Sequence, residues 1–315
     1  MLNWLVIGVG DITRKRVLPA ITSEPRSRLA GIVTRDPRKA EPYSVPAWTD
    51  LGRALRESNC DAVYVGTPVV LHAQQTITCL QSGKDVLCEK PTAMNYSEAY
   101  SMVSAATAAG RLLGIAYYRR MYPALDRLHQ LLHAGAIGRP VYAFATAHSW
   151  FSREIEEGAW RADPAIAGGG PLFDIASHRI DLMNYVFDQP VRVTGQTATT
   201  IQNIPVEDNA TVMIEHASGV RSVVDVRWHS HVTRDEFLVR GTDGEIDLSP
   251  LNSGYLRVNG SEPEQYPPHQ NLHYPCIANF VDAALSGEPL RLRASGASSL
   301  WTDYVTEQVV KSNAR

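Results

Sequence analysis

Residues 4–14 read WLVIGVGDITR. A short apolar run closes on Gly8-Val9-Gly10 and opens into a polar stretch with helical spacing, roughly 13–23. A run this short, ended by glycines and followed by a helix, reads as a buried strand opening a strand–helix unit. In that setting Gly8 permits the tight turn. Gly10 lets the backbone amides of the turn, with Asp11 and Ile12, approach a pyrophosphate seated on the helix N-terminus. Thr13 takes the third fingerprint position, where Gly or Ala ordinarily lets helix and strand pack closely. Alone the pattern is weak, and its place directly after a strand gives it weight.

The same grammar repeats outward. Apolar strands are expected at 29–33, 62–66, 85–88 and 112–116, separated by helices near 70–82 and 97–109. Near-continuous apolar strands alternating with helices predict a parallel sheet covered on both faces, the doubly wound Rossmann architecture. After Arg120 the pattern changes. A helix with Leu125, Leu128, Leu131 and Leu132 on one stripe leads to a strand at 141–147. A long loop carries Trp150, Trp160 and three successive glycines, 168–170, followed by a helix at about 173–187. Some six strands follow over 191–258 with turn signals between them, an antiparallel meander. Helices near 275–285 and 297–313 close the chain. The division expected is a dinucleotide-binding α/β domain over 1–119 and an α+β domain with a large, mostly antiparallel sheet over 120–315. The last helix, 297–313, is free to pack back on the first domain.

Composition excludes several classes. The 315 residues carry a formal charge of −3 and no basic stripe, which argues against nucleic acid. No apolar run reaches the length of a membrane span. The N-terminus enters a strand without a basic n-region or cleavage site, so no signal peptide is expected. Four scattered cysteines without a CxxC pair suit a reducing cytoplasm and no zinc site. His229 and His231 share a strand face without a third ligand, so no metal is expected.

The residue types past the strand ends point to chemistry. An acidic residue after the second strand would bind a ribose 2′-hydroxyl, whereas Thr34 and Arg35 suit a 2′-phosphate and favour NADP over NAD. A strand two residues longer would put Asp36 in the acidic position and reverse that preference. Residues 86–91 read VLCEKP, and Lys90, one of only five lysines, lies two residues beyond a strand end, where doubly wound sheets bind ligands. A dry cleft beside a cationic nicotinamide lowers a lysine's pKa and fits it to exchange a proton with a reacting oxygen. Asp174, His178 and Asp181, spaced four and three, fall on one helix face. An imidazole there can take the proton of a substrate hydroxyl while hydride leaves its carbon.

In order along the chain, the G-x-G turn, Thr67-Pro68 followed by His72, Glu89-Lys90-Pro91, Tyr118-Arg119-Arg120, Trp160-Arg161, Gly168–170, Asp174-x-x-x-His178 and Val206-Glu207-Asp208-Asn209 together resemble the Gfo/Idh/MocA oxidoreductases over essentially the whole chain. Val69 and Ala176 depart from the usual Asn and Gly. The resemblance implies a catalytic set of Lys90, Asp174 and His178, a cis Lys90–Pro91 bond, and Thr67, Pro68, His72 and Glu89 beside the cofactor. Tyr118, Arg119, Trp160 and Arg161, with Asp174 and His178, are the expected substrate contacts. It also implies a second sheet with one open face, and hence a homodimer or homotetramer. The expected activity is NAD(P)-dependent hydride transfer on a sugar, cyclitol or other polyol. Two alternatives remain: transient oxidation serving glycoside cleavage, and a non-catalytic dinucleotide-binding regulator.

Overall fold

Six parallel strands form the first sheet: β1 (Leu2–Ile7), β2 (Ser27–Val33), β3 (Ala47–Trp48), β4 (Ala62–Val65), β5 (Asp85–Cys88) and β6 (Leu113–Ile115), in the order β3-β2-β1-β4-β5-β6. The computed structural model describes residues 1–152 and 156–313. β4 is buried at every position and β1 at all but one, as a parallel sheet covered on both faces requires. The helices of this part of the chain are α1 (Leu18–Ser23), α2 (Leu51–Glu57), α3 (His72–Gln81) and α4 (Tyr96–Ala109). Side-chain caps start two of them, from Asp50 to the Arg53 N–H and from Asn95 to the Glu98 N–H. A π-turn, Thr13–Val17, precedes α1.

The chain divides into two compact units, Met1–Tyr118 with Gln270–Leu300, and Arg119–His269 with Trp301–Arg315. Residues 270–300 join the first sheet through packing and backbone pairing. Phe280, on α8 (Tyr274–Ser286, the eighth helix in chain order), sits 5.2 Å from the Trp4 ring, and the Ile115 N–H donates to the Ala294 carbonyl.

The second unit contains α5 (Pro123–His133), α6 (Pro164–Ala167) and α7 (Ser177–Phe187), and α9 (Gly296–Asn313) enters it from Trp301 onward. Its sheet comprises β7 (Pro140–Trp150), β8 (Pro190–Ala198), β9 (Asn209–His216), β10 (Arg221–Arg227), β11 (His229–Gly241), β12 (Glu245–Asp247), β13 (Tyr255–Val258) and β14 (Glu264–Gln265). Six of these lie within 191–258 or overlap it, as the turn signals indicated. The order, β14-β13-β12-β11-β7-β10-β9-β8, is not a plain meander. β7 inserts between β10 and β11 and pairs parallel with β10. Ala143, Ala145 and Ala147 of β7, with Val224 and Val226 of β10, make the buried face on which α7 packs. No helix among the described residues is long and apolar enough to cross a membrane.

Candidate active site

In the first unit, β1 delivers the glycine turn. Gly8 has φ +87°, and a Cβ there would lie 2.7 Å from the Gly66 carbonyl oxygen. Conformation and packing both demand glycine at that position. Gly10 differs: it is exposed, and a Cβ there would meet no protein atom within 4 Å. The space beside Gly10 is open, so the turn has room for a pyrophosphate on the helix N-terminus. Asp11 pairs with Lys15 at 2.7 Å and Arg14 at 3.2 Å, and Ile12 is half-buried. Thr13 is accommodated by a glycine elsewhere. A Cβ on Gly66 would fall 2.7 Å from the Thr13 hydroxyl, so Gly66 supplies the close helix–strand approach.

β2 ends at Val33, which makes Thr34 the first residue past the strand. Its hydroxyl lies 3.3 Å from both the N–H and the carbonyl of Asp36. Arg35 is exposed. The Asp36 carboxylate receives the Arg38 backbone N–H at 3.2 Å and its guanidinium at 2.8 and 3.0 Å. That guanidinium holds Asp36 below the usual carboxylate range.

Thr67 and Pro68 follow β4. The Thr67 hydroxyl donates to Gln75 at 2.7 Å, and Val69 beyond them is buried. His72 lies under both strand-end loops, with Nε2 2.8 Å from the Thr67 carbonyl and Nδ1 3.0 Å from the Pro91 carbonyl. Burial outweighs these two acceptors and keeps the imidazole below its ordinary pKa. A neutral ring carries one N–H, so it donates to one carbonyl at a time.

Lys90, half-buried, lies two residues beyond β5, and the Lys90–Pro91 bond is cis. The Glu89 carboxylate is occupied by the protein itself. Oε1 accepts the Tyr64 hydroxyl at 2.5 Å and His273 Nε2 at 3.0 Å, and Oε2 accepts the Lys90 backbone N–H at 3.0 Å. Burial pushes this carboxyl upward, but the His273 bond and charge, with Tyr64 and Lys90, overcome it and hold the pKa at about 2. The Tyr118 ring packs on His273, centroids 4.8 Å apart. His273 has no local sequence signal. It lies 184 residues from Glu89, just before α8.

In the second unit Arg119 is buried. Asp174 lies in a π-turn, Leu172–Ala176, that leads into α7, where His178 is 5% exposed. The π-turn loosens the strict i, i+4 stripe expected for Asp174, His178 and Asp181, and such turns recur at functional sites. Asp174 pairs with Arg161 at 3.8 Å, and the Arg161 guanidinium lies 5.2 Å from the Trp160 ring centroid. Asp181 is engaged elsewhere, by Arg120.

The triple glycine sets this turn. A Cβ on Gly168 or Gly169 would lie 2.7 or 2.5 Å from the Phe173 ring, and one on Gly170 would lie 2.1 Å from the Glu207 carbonyl oxygen. Glu207 Oε1 accepts the N–H groups of Gly170 at 2.9 Å and Leu172 at 3.0 Å. Glu207, part of the quoted Val206–Asn209 string but given no role from sequence, holds the entry to the Asp174–His178 segment. Burial pushes its carboxyl above the ordinary range against those two donors.

Two family models match the chain. One described as "Oxidoreductase family, NAD-binding Rossmann fold" covers residues 2–117, and one described as "GFO/IDH/MocA C-terminal domain" covers residues 125–247. The 1,5-anhydro-D-fructose reductase of Ensifer adhaerens is 28% identical over 100% of this chain and 97% of its own. The dTDP-3,4-didehydro-2,6-dideoxy-alpha-D-glucose 3-reductase of Streptomyces violaceoruber is 30% identical over 88% of this chain and 84% of its own. The crystal structure of aldose-aldose oxidoreductase from Caulobacter crescentus, complexed with glycerol, superposes with a TM-score of 0.87 at 26% identity, covering 99% of this chain and 97% of that one.

Proposed function

The chain belongs to the GFO/IDH/MocA oxidoreductases, and from that membership we propose that it moves a hydride between NAD(P) and a carbinol or keto carbon of a sugar, cyclitol or similar polyol. When bound, the nicotinamide supplies or accepts the hydride. The amides of Gly10, Asp11 and Ile12 take the pyrophosphate, and Thr34 and Arg35 favour the 2′-phosphate of NADP. The early end of β2 and the engagement of Asp36 by Arg38 support that preference. Lys90 donates a hydrogen bond to the reacting oxygen. His178 takes the hydroxyl proton in the oxidising direction and returns it in the reducing one. The observation that carries the substrate class is the Trp160–Arg161–Asp174 group. It offers a guanidinium donor, a carboxylate acceptor and an aromatic surface, which suits a polyhydroxylated ring.

We also place the active form in the cytoplasm as a homodimer or homotetramer. The four cysteines, all buried and none in a disulfide, support a reducing compartment. On the outer face of the second sheet Met213, Val223, Phe144 and Leu238 align by register into one apolar row, with Met213 54% exposed, and this supports a second copy docking there. Phe144→Asp is expected to lower the mass measured by light scattering, and an unchanged mass contradicts that site of assembly.

Fluorescence titration with NADPH and NADH tests the cofactor reading, with NADPH expected to bind more tightly. Arg35→Ala should erase about tenfold of that preference. A preference for NADH overturns the role of Arg35. A turnover screen over sugars and polyols in which none is oxidised or reduced overturns the substrate class.

A further inference from the structure

Glu89 is an expensive residue to bury. A carboxylate loses hydration on leaving water, and apolar residues of similar volume fill such space at less cost. Its side chain is only 13% exposed and that of His273 4%. Three donors nonetheless converge on it. Tyr64 comes from β4, His273 from the residue before α8, and the third is the backbone N–H of Lys90 itself. His273 is fixed in turn. Its own N–H donates to Asn271 Oδ1 at 3.1 Å, and its ring packs against Tyr118. The acceptor opposite Nε2 is a carboxylate, so the ring must carry its proton there. His273 Nδ1 is buried with no hydrogen-bond partner among the described residues. The ring's polar function is therefore spent on Glu89. A carboxylate has two acceptor oxygens, so it can take Tyr64 and His273 on Oε1 and still hold the Lys90 N–H on Oε2. On the far side, His72 Nδ1 lies 3.0 Å from the Pro91 carbonyl and holds that end of the Lys90–Pro91 segment in the tautomer that protonates Nδ1.

We propose that Tyr64 and His273 are positioning residues that act through Glu89 to fix the backbone of Lys90, and with it the aim of the Lys90 ammonium. The proposal rests on the reading that Lys90 takes part in turnover. It reaches two buried residues outside the proposed catalytic set, neither of them near Lys90 in sequence.

The direct probe is hydrogen exchange at the Lys90 amide, resolved to single residues, in the intact protein and in His273→Leu, His273→Gln and Tyr64→Phe. His273→Leu and Tyr64→Phe should speed exchange at Lys90 by about tenfold or more while the amides of Val63 and Val65 in β4 keep their rates. His273→Gln, whose amide can donate to Glu89, should restore much of the protection. With NADPH and 1,5-anhydro-D-fructose as the turnover probe, His273→Leu should lower kcat about 10- to 100-fold with KM little changed. Unaltered exchange at Lys90 in both His273→Leu and Tyr64→Phe overturns the proposal. So does accelerated exchange with unchanged kcat where Lys90→Met abolishes turnover. Full turnover by Lys90→Met overturns the underlying reading of Lys90 instead, and the two failures are thereby distinct. Should His273→Leu fail to fold, Tyr64→Phe, which removes a single hydroxyl, decides by the same measurements.

Discussion

Arg120 and Asp181 meet through two hydrogen bonds, Nε to Oδ2 at 2.9 Å and Nη2 to Oδ1 at 2.6 Å, with both side chains 1% exposed. The guanidinium also lies 5.1 Å from the Tyr185 ring centroid. Asp181 shares a helix with His178, yet its carboxylate ties α7 to the segment before α5. Removing one partner leaves the other charged in a dry place. Asp181→Ala should therefore cost about 3–5 kcal/mol in urea unfolding. The paired change Arg120→Met with Asp181→Leu should recover most of that loss. A single-variant loss near zero would show the pair to be dispensable.

The glycines separate stability from binding. Gly10→Ala puts a methyl where no protein atom lies within 4 Å, so the thermal midpoint should hold while NADPH affinity falls about tenfold or more. Gly170→Ala drives a methyl against the Glu207 carbonyl and should destabilise by roughly 1–3 kcal/mol. Equal affinity in Gly10→Ala would mean that the open space beside the turn does not receive the cofactor.

Acid should weaken the fold through two carboxylates. Burial works against each. Glu89 is held at about 2 by His273 and Tyr64, and Asp208 at about 2 by the N–H groups of Gln202, Ile201 and Thr200 with the Asn209 amide. Both pKa values are depressed on folding. Their stabilisation is therefore complete above the ordinary carboxylate pKa of 4.5 and 3.8 and is lost as pH falls toward 2. The full shifts are worth roughly 3 kcal/mol at Glu89 and roughly 2 kcal/mol at Asp208. Urea midpoints measured from about pH 6 down to about pH 3 should fall, and Asp208→Asn should flatten the slope. An identical slope in Asp208→Asn would contradict this origin of the acid sensitivity.

The first sheet was legible because its strands are buried on both faces, so each reads as an unbroken apolar run such as Ala62–Val65. The end of β2 at Val33 was legible for the same reason, since Thr34-Arg35-Asp36-Pro37 breaks the run. Long-range choices left no local mark. The exchange of roles between Thr13 and Gly66 depends on two turns 53 positions apart in sequence that pack together. The insertion of β7 between β10 and β11 requires a parallel pairing that no turn signal announces. Nothing in residues 270–300 advertises their packing with the first sheet, and so the place of His273 beside Glu89 left no mark in the sequence. The i, i+4, i+7 spacing of Asp174, His178 and Asp181 was visible, but the π-turn and the pull of Arg120 on Asp181 were not.

Lys90→Met tests the proposed chemistry most directly. The methionine keeps the length and removes the ammonium. The variant should bind NADPH within about threefold of the unaltered protein, by fluorescence titration, while turnover of a sugar substrate falls by about a thousandfold or more. Turnover that survives the substitution would contradict the role given to Lys90.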